Sequence, residues 1–239
     1  MADWHKMTRD TKGQTISSFE FLRDLSDISK RLLMPILKEV RYKKNDPVFF
    51  RGDAADSMYF VLHGAIEISI ATEEGKKILL SILSPGSSFG EIGVLDGGQR
   101  TANAVALENC YMWKLSQPDF MKAIENFPPE DWMKITRQLC ALLRKVNYNL
   151  ETFCLGNAET RLVAKLFELG QKSDGDVSNG LTLKISQSQL AEMTNLSRET
   201  TNRILSQMEK EGFLKRSYGK ITIFKLSKLF MYDTEKVCT

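Results

Sequence analysis

Histidine is scarce in this chain, with His5 and His63 the two in 239 residues, and cysteine occurs four times without a C-x-x-C pair. Cys110, Cys140, Cys154 and Cys238 have no zinc-like spacing with either histidine. Reduced, mostly structural thiols are therefore expected, and no metal site. No window approaches the length of a membrane span. The opening MADWHKMTRDTKGQT alternates charged with polar residues and lacks an apolar segment, which predicts a cytoplasmic protein with no membrane partner. A phosphate-loop signature is also missing. With so few histidines and no metal spacing, little is left for catalysis, and no catalytic residue is assigned.

Charge of one sign is lacking over most of the length. Residues 1–157 carry 20 basic and 20 acidic side chains, while residues 158–239 carry 13 against 10, so the whole net charge of +3 sits in the last third. Within 182–228 the count is 9 basic to 4 acidic, with no Asp. A positive field concentrated on so short a segment points towards nucleic acid.

The apolar pattern changes period along the chain. Phe19, Leu22, Leu25, Ile28, Leu32, Leu33 and Ile36 are spaced as on a helix, predicting a helical lead-in over 19–39. From Val48 to Leu115, short apolar runs such as Y59-F-V-L62 and A65-I-E-I-S-I70 alternate with turn residues, predicting a compact β-roll, barrel or sandwich. A short helix is expected over 118–126. Beyond Pro128-Pro129, Trp132, Ile135, Leu139, Leu142, Val146, Leu150 and Phe153 fall three or four residues apart. That stripe suits either an amphipathic helix packed on its own β-domain or a coiled-coil-like dimer seam; its length and narrowness favour a second helix as partner. Gly156-Asn157 then breaks the pattern as a hinge.

After the hinge, Ala158–Gly170 is amphipathic, and 171–180 is a polar loop. In S186-QSQLAEMTNLSRETTNRILSQMEKEGFL214, one helix carries Leu190, Ala191 and Met193. A turn falls at Thr194-Asn195-Leu196, and Ser197 caps a second helix. This is a helix-turn-helix pattern, with Asn195 suited to a left-handed position and small Ala191 permitting a close crossing. A strand pair turning at Tyr218-Gly219-Lys220 would form a wing. On the second helix Arg198, Glu199, Asn202 and Arg203 share an arc of about 140°. Arg can bond guanine O6 and N7, and Glu can accept from cytosine N4. Ser197, Thr200 and the helix N-terminus suit phosphate. The rival reading, a Glu199–Arg203 ion pair on a solvated face, leaves the basic flank, the turn and the wing unexplained.

One glycine-rich stretch remains, F89-G-E-I-G-V-L-D-G-G-Q-R-T-A-N-A-V-A106, with four glycines, one Glu91 and one Arg100. Such a turn, ending on an Arg-Thr pair, is built to admit an anion, the alternative being an internal Glu91–Arg100 ion pair.

Taken in order, β-roll, long helix and winged helix-turn-helix, with F-G-E-I-G, R-T-A-N-A and S-R-E-T-T-N-R, the chain resembles the CRP/FNR superfamily of transcription regulators from about Phe19 to Leu226. The resemblance implies an α+β chain with an effector-sensing β-roll and helical lead-in over 1–128, a long dimerisation helix and hinge over 129–156, and a DNA-binding winged helix-turn-helix over 157–239. It implies a homodimer that binds double-stranded promoter DNA and RNA polymerase. It also implies a cyclic nucleotide effector, cAMP or cGMP, and no covalent cofactor. The stretch resembles the family's phosphate-binding cassette, comprising Gly90, Glu91, Ile92, Arg100 and Thr101, with Glu91 on the ribose 2′-OH and Arg100 and Thr101 on the cyclic phosphate. Val146 and Asn147 fall where the family's long helix meets the base. Arg198 and Arg203 would read guanines and Glu199 a cytosine of a TGTGA-type half-site. Asn202 faces the same groove, and Lys220 would meet the backbone. An iron–sulfur branch would need N-terminal cysteines, and a haem branch a His or Cys ligand in a recognisable setting; neither is present. A regulator with a vestigial or different effector site stays open.

Overall fold

The computed structural model describes residues 16–71, 77–171 and 180–224. It begins with two short helices, α1 (Glu20–Arg23) and α2 (Asp27–Leu33), the second capped by the Ser26 hydroxyl accepting from Ser29 N. A 3₁₀ turn over Met34–Ile36, with Pro35 in its first positions, ends the lead-in. The expected helical reach to residue 39 is therefore too long. Strand β1 (Lys38–Tyr42) starts there instead, drawn into a full antiparallel register with β8 (Cys110–Ser116).

The other strands of the N-terminal domain are β2 (Pro47–Phe49), β3 (Ser57–His63), β4 (Ile66–Ala71), β5 (Lys77–Leu83), β6 (Ser88–Phe89) and β7 (Asn103–Ala106). They form two four-stranded sheets, β1-β8-β3-β6 and β2-β7-β4-β5. Strand β3 explains why an unbroken apolar run occurs there. Alternate side chains of a strand point to opposite faces, and both faces of β3 are covered. Tyr59 and Val61 join Ile66, Phe89, Ala104, Ala106 and Met112 in one core. Met58 and Phe60 join Trp113 and Leu115 in another, against Phe19, Leu22, Leu33, Phe120 and Ile135. Inside the expected glycine-rich turn lies a six-residue helix, α3 (Glu91–Asp96), followed after β8 by α4 (Gln117–Ile124).

Helix α5 (Pro129–Leu155) is unbroken, and Gly156 and Asn157 follow it outside the helix. Its first turns are held by Asp131, whose buried carboxylate accepts from Ser26 N, Ser26 Oγ, Ser29 Oγ and Lys134 Nζ. Burial alone would raise that carboxyl; the donors from Lys134, Ser26 and Ser29 outweigh it and hold the group far below the ordinary range. The expected stripe divides. Ile135 is buried in the core of its own domain, whereas Leu139, Leu142, Val146 and Leu150 are exposed, as are Leu143 and Tyr148. Phe153 has no described side chain. Apart from the start of β5, the chain divides into two compact units inside α5, between Leu143 and Arg144.

The second unit contains α6 (Ala158–Gln171), β9 (Leu181–Leu183), α7 (Gln187–Thr194), α8 (Arg198–Lys210), β10 (Leu214–Ser217) and β11 (Lys220–Ile223). Its core joins Leu162 and Leu166 of α6 to Leu190, Ile204, Leu205 and Met208. The wing is a three-stranded sheet in the order β10-β11-β9, one strand more than the expected pair. Most of the predicted polar loop, residues 172–179, lies outside the described residues.

Candidate functional site

Gly90 and α3 set the geometry of the cassette. Gly90 has φ 82°, and a Cβ there would stand 2.6 Å from Arg100 Nη1, so the position needs glycine for its conformation and for the space the guanidinium takes. Gly93 lies on the inner face of α3, where a Cβ would fall 1.9 Å from that of Ala55. Arg100, 5% exposed, donates from Nη1 to Gly90 O at 3.3 Å and from Nη2 to Ser57 Oγ at 3.2 Å and Asp56 Oδ1 at 3.4 Å. Its guanidinium lies over the ring of Phe49, 4.1 Å from the centroid. Burial pulls the Arg100 pKa down, against the neighbouring Tyr59 and Asp56, which raise it.

Glu91 opens α3, and burial pushes its carboxyl above the ordinary range, offset in part by its own backbone N–H and then by Arg100. Glu91 and Arg100 form no ion pair among the described residues. Instead, Glu91 Oε2 and Arg100 Nε are both buried with no hydrogen-bond partner. A carboxylate oxygen and a guanidinium N–H left unsatisfied in one glycine-rich stretch are an acceptor and a donor that a ligand carrying both a donor and an acceptor could meet. Ile92 and Thr101 are exposed. Val146 and Asn147 are exposed on the part of α5 that belongs to the second unit.

Asp56, Ser57, Phe49 and Tyr59 were not expected around Arg100. The segment R51-G-D-A-A-D-S57 reads as a turn, and its Asp-Ser end carries the signal: the Ser57 hydroxyl, then Lys114 and Arg100, hold the Asp56 carboxyl below its ordinary value. The pentad Gly86-Ser87-Ser88-Phe89-Gly90 has the spelling of a hydrolase nucleophile elbow. Ser88, however, lies within β6, paired with Phe60, and makes no hydrogen bond to a histidine among the described residues. A separate cavity of about 510 Å³ is lined by Arg41, Tyr42, Lys43, Asp46, His63, Asn109, Cys110 and Tyr111, and shares no residue with the cassette. Cys110, which is buried, and Cys140 and Cys154, which are exposed on α5, are free thiols, while Cys238 lies outside the described residues.

In the second unit, Ser186 and Gln189 close a capping box at the start of α7, and Asn195 takes the left-handed conformation, φ 52°, between the helices. The Ser197 hydroxyl accepts from Thr200 N at 3.0 Å and donates to Thr200 Oγ1 at 2.9 Å, so both groups expected on phosphate are engaged in capping α8. Thr201, Ile204, Leu205 and Met208 bury one face of α8, leaving Arg198, Glu199, Asn202 and Arg203 exposed together. Among the described residues Glu199 and Arg203 form no ion pair. Lys220 is exposed at the first position of β11, opposite Ser217, rather than within the turn. The sequence pattern did not reveal Arg216, which joins the wing to Asn202 and Glu209 of α8.

The family model for a cyclic nucleotide-binding domain matches residues 39–127, and that for a Crp-like helix-turn-helix domain matches residues 160–231. The chain belongs to the CRP/FNR superfamily of transcription regulators. This CRP/FNR member is 28% identical over 186 residues to the cyclic AMP receptor protein of Thermus thermophilus, covering 76% of this chain and 82% of that one. It is 25% identical over 185 residues to the cAMP-activated global transcriptional regulator CRP of Salmonella typhimurium, covering 77% and 87%. These relatives are regulators, not enzymes. The structure of FixK2 from Bradyrhizobium japonicum shares the fold, with a TM-score of 0.73 and 19% identity over 83% of this chain and 98% of that one. Among the described residues, no helix is long and apolar enough to cross a membrane.

Proposed function

We propose that this CRP/FNR regulator is a cytoplasmic homodimer that takes a cyclic nucleotide, cAMP or cGMP, into the cassette and so controls how its two α8 helices meet a palindrome of TGTGA-type half-sites. The observation that carries the effector reading is the pair of buried, unsatisfied atoms, Glu91 Oε2 and Arg100 Nε. Glu91 accepts from the ribose hydroxyl. Arg100, helped by Thr101, holds the phosphate, and the backbone N–H groups of Gly90 and of Ile92, in the first turn of α3, add donors.

Val146 and Asn147 meet the base, Asn147 by donating and accepting. Because they lie on a helix with exposed Leu139, Leu142 and Leu150, the ligand stabilises the arrangement in which pocket and dimer helix touch, shifting the population towards it. In this reading the chain is organised as 1–128, 129–156 and 157–239, with promoter DNA and RNA polymerase as partners. Arg198 and Arg203 read guanine and Glu199 reads cytosine, while Ser197, Thr200 and Lys220 lie against the backbone.

Titrating the purified protein with cAMP and with cGMP tests the effector: saturable binding of either supports the cassette, and binding of neither by the intact dimer overturns it. One observation favours a second reading, an effector-independent regulator or one with another small ligand. Asp56 already gives Arg100 a counter-ion at 3.4 Å. Assembly is tested with Leu142→Glu, which puts a charge in the apolar seam; a stable, DNA-competent dimer of that variant in light scattering would sink the seam.

A further inference from the structure

Arg216, on β10 of the wing, grips α8 at two points. Its backbone N–H and Nε donate to the two carboxylate oxygens of Glu209, each at 2.8 Å, and its Nη1 donates to Asn202 Oδ1 at 2.7 Å. The Glu209 carboxyl is held below its ordinary range by the Arg216 backbone N–H first and the side chain second. The guanidinium is thus a strut, with one end seated in a carboxylate and the other on an amide.

Arginine carries donors and no acceptor, so the Asn202 atom it meets must be the carbonyl oxygen. The amide is therefore fixed in one orientation. Its oxygen faces the wing, and Nδ2, on the other branch of the same carbon, turns away from the guanidinium with no partner among the described residues. Asn202 stands on the exposed face of α8 with Arg198 and Arg203.

We infer that Arg216 is a positioning residue for base recognition: it holds Asn202 as a hydrogen-bond donor, so that at one position of each half-site Asn202 rejects cytosine and loses the usual preference of asparagine for adenine. An unrestrained asparagine reads adenine with both atoms, its oxygen accepting from N6 and its nitrogen donating to N7. Here the oxygen is already in a short, charge-assisted bond, which weakens that half of the pair. Adenine N7, guanine N7 and O6, and thymine O4 then each require only the nitrogen, whereas cytosine offers a donor and no acceptor. The inference rests on α8 being the groove helix of the preceding section.

Randomised-site selection on the full-length protein, with and without cAMP, tests it with the native chain and with Arg203→Ala, Asn202→Ala, Arg216→Ala and Arg216→Lys. Arg216→Lys retains a cation for Glu209 but lacks the fork that spans both partners, so it separates positioning from folding. Thermal unfolding of each variant confirms that the fold is kept. The native protein should disfavour cytosine at one half-site position by roughly fivefold or more while favouring adenine over guanine and thymine by no more than about twofold. Both Arg216 variants should raise adenine there to roughly fivefold over guanine and thymine, leaving other positions unchanged. Asn202→Ala should flatten the same position, with no further change on adding Arg216→Ala.

If Arg203→Ala relaxes its own position while the Arg216 variants alter none, the inference falls and the groove-helix reading stands. Uniform weakening at every position by the Arg216 variants also overturns it, since that is the signature of a purely structural brace. If the native protein enriches no site, the groove-helix reading fails and takes this inference with it.

Discussion

Arg100 and Arg203 carry the same guanidinium into opposite surroundings. Arg100 is buried, stacked on Phe49 and engaged by Ser57, Asp56 and Gly90, with Nε unsatisfied. Arg203 is exposed on a helix whose other face is packed. A small anion leaves water entirely when it binds, so its site must hold donors in place beforehand and shield them, which makes each contact strong. A polymer presents many phosphates and base edges to solvent, so its reader can leave its cations wet and gain from their number. On the proposed function, the first design concentrates binding in one residue and the second spreads it.

That contrast predicts unequal losses. Arg100→Leu should cost about 2–5 kcal/mol of nucleotide affinity, because it removes the charged partner of a buried anion. Its fold should survive, since Asp56 keeps Ser57 and Lys114. Calorimetric titration that finds cAMP and cGMP affinity unchanged would remove Arg100 from the site. Arg203→Ala should cost roughly 1–3 kcal/mol and relax one base position per half-site. A selection that returns the same palindrome with undiminished stringency would show that α8 is misassigned.

Glu91→Gln should lower nucleotide affinity by about 1 kcal/mol while raising the melting temperature of the unliganded protein near neutral pH. The sign follows from its raised pKa: ionising the buried carboxyl costs more in the folded than in the unfolded chain, so the unliganded fold is penalised above the raised value and relieved as pH falls through it. Nucleotide affinity should fall across the same window as the carboxylate is protonated. A melting curve for Glu91→Gln that drops at neutral pH contradicts this. The smallest effect belongs to Lys220→Ala, expected to weaken all DNA sequences alike by less than about 1 kcal/mol and to reduce the salt slope by about one. Loss confined to one sequence would place Lys220 on a base.

Local chemistry was legible in the sequence wherever one residue decides it. Asn195 at the left-handed turn, Ser197 at the cap of α8 and the inward Ile204, Leu205 and Met208 are all where their types require. The β-roll was legible from its turn spacing, but β1 was not. Val40 and Tyr42 continue an apolar rhythm begun by the helices, and only pairing with β8 makes them a strand. The stripe of α5 misled at Ile135 because period alone does not say which partner covers a face. The surroundings of Arg100 were hidden for a related reason. Phe49, Asp56, Ser57 and Tyr59 come from other strands and turns, and Arg216 reaches Asn202 across the gap between strand and helix. Such contacts are fixed by topology, of which spacing along the chain carries no trace.

The bond from Ser26 N to Asp131 has an observable that no substitution is needed to read. The amide of a residue capping a helix has no partner within that helix and ordinarily trades its proton with water quickly. Here it is held by a buried carboxylate 105 residues away. Its deuterium uptake therefore times the undocking of the root of α5, a long-range opening, rather than the fraying of α2. A single amide thus serves as a clock for how often the long helix lets go of the domain beneath it.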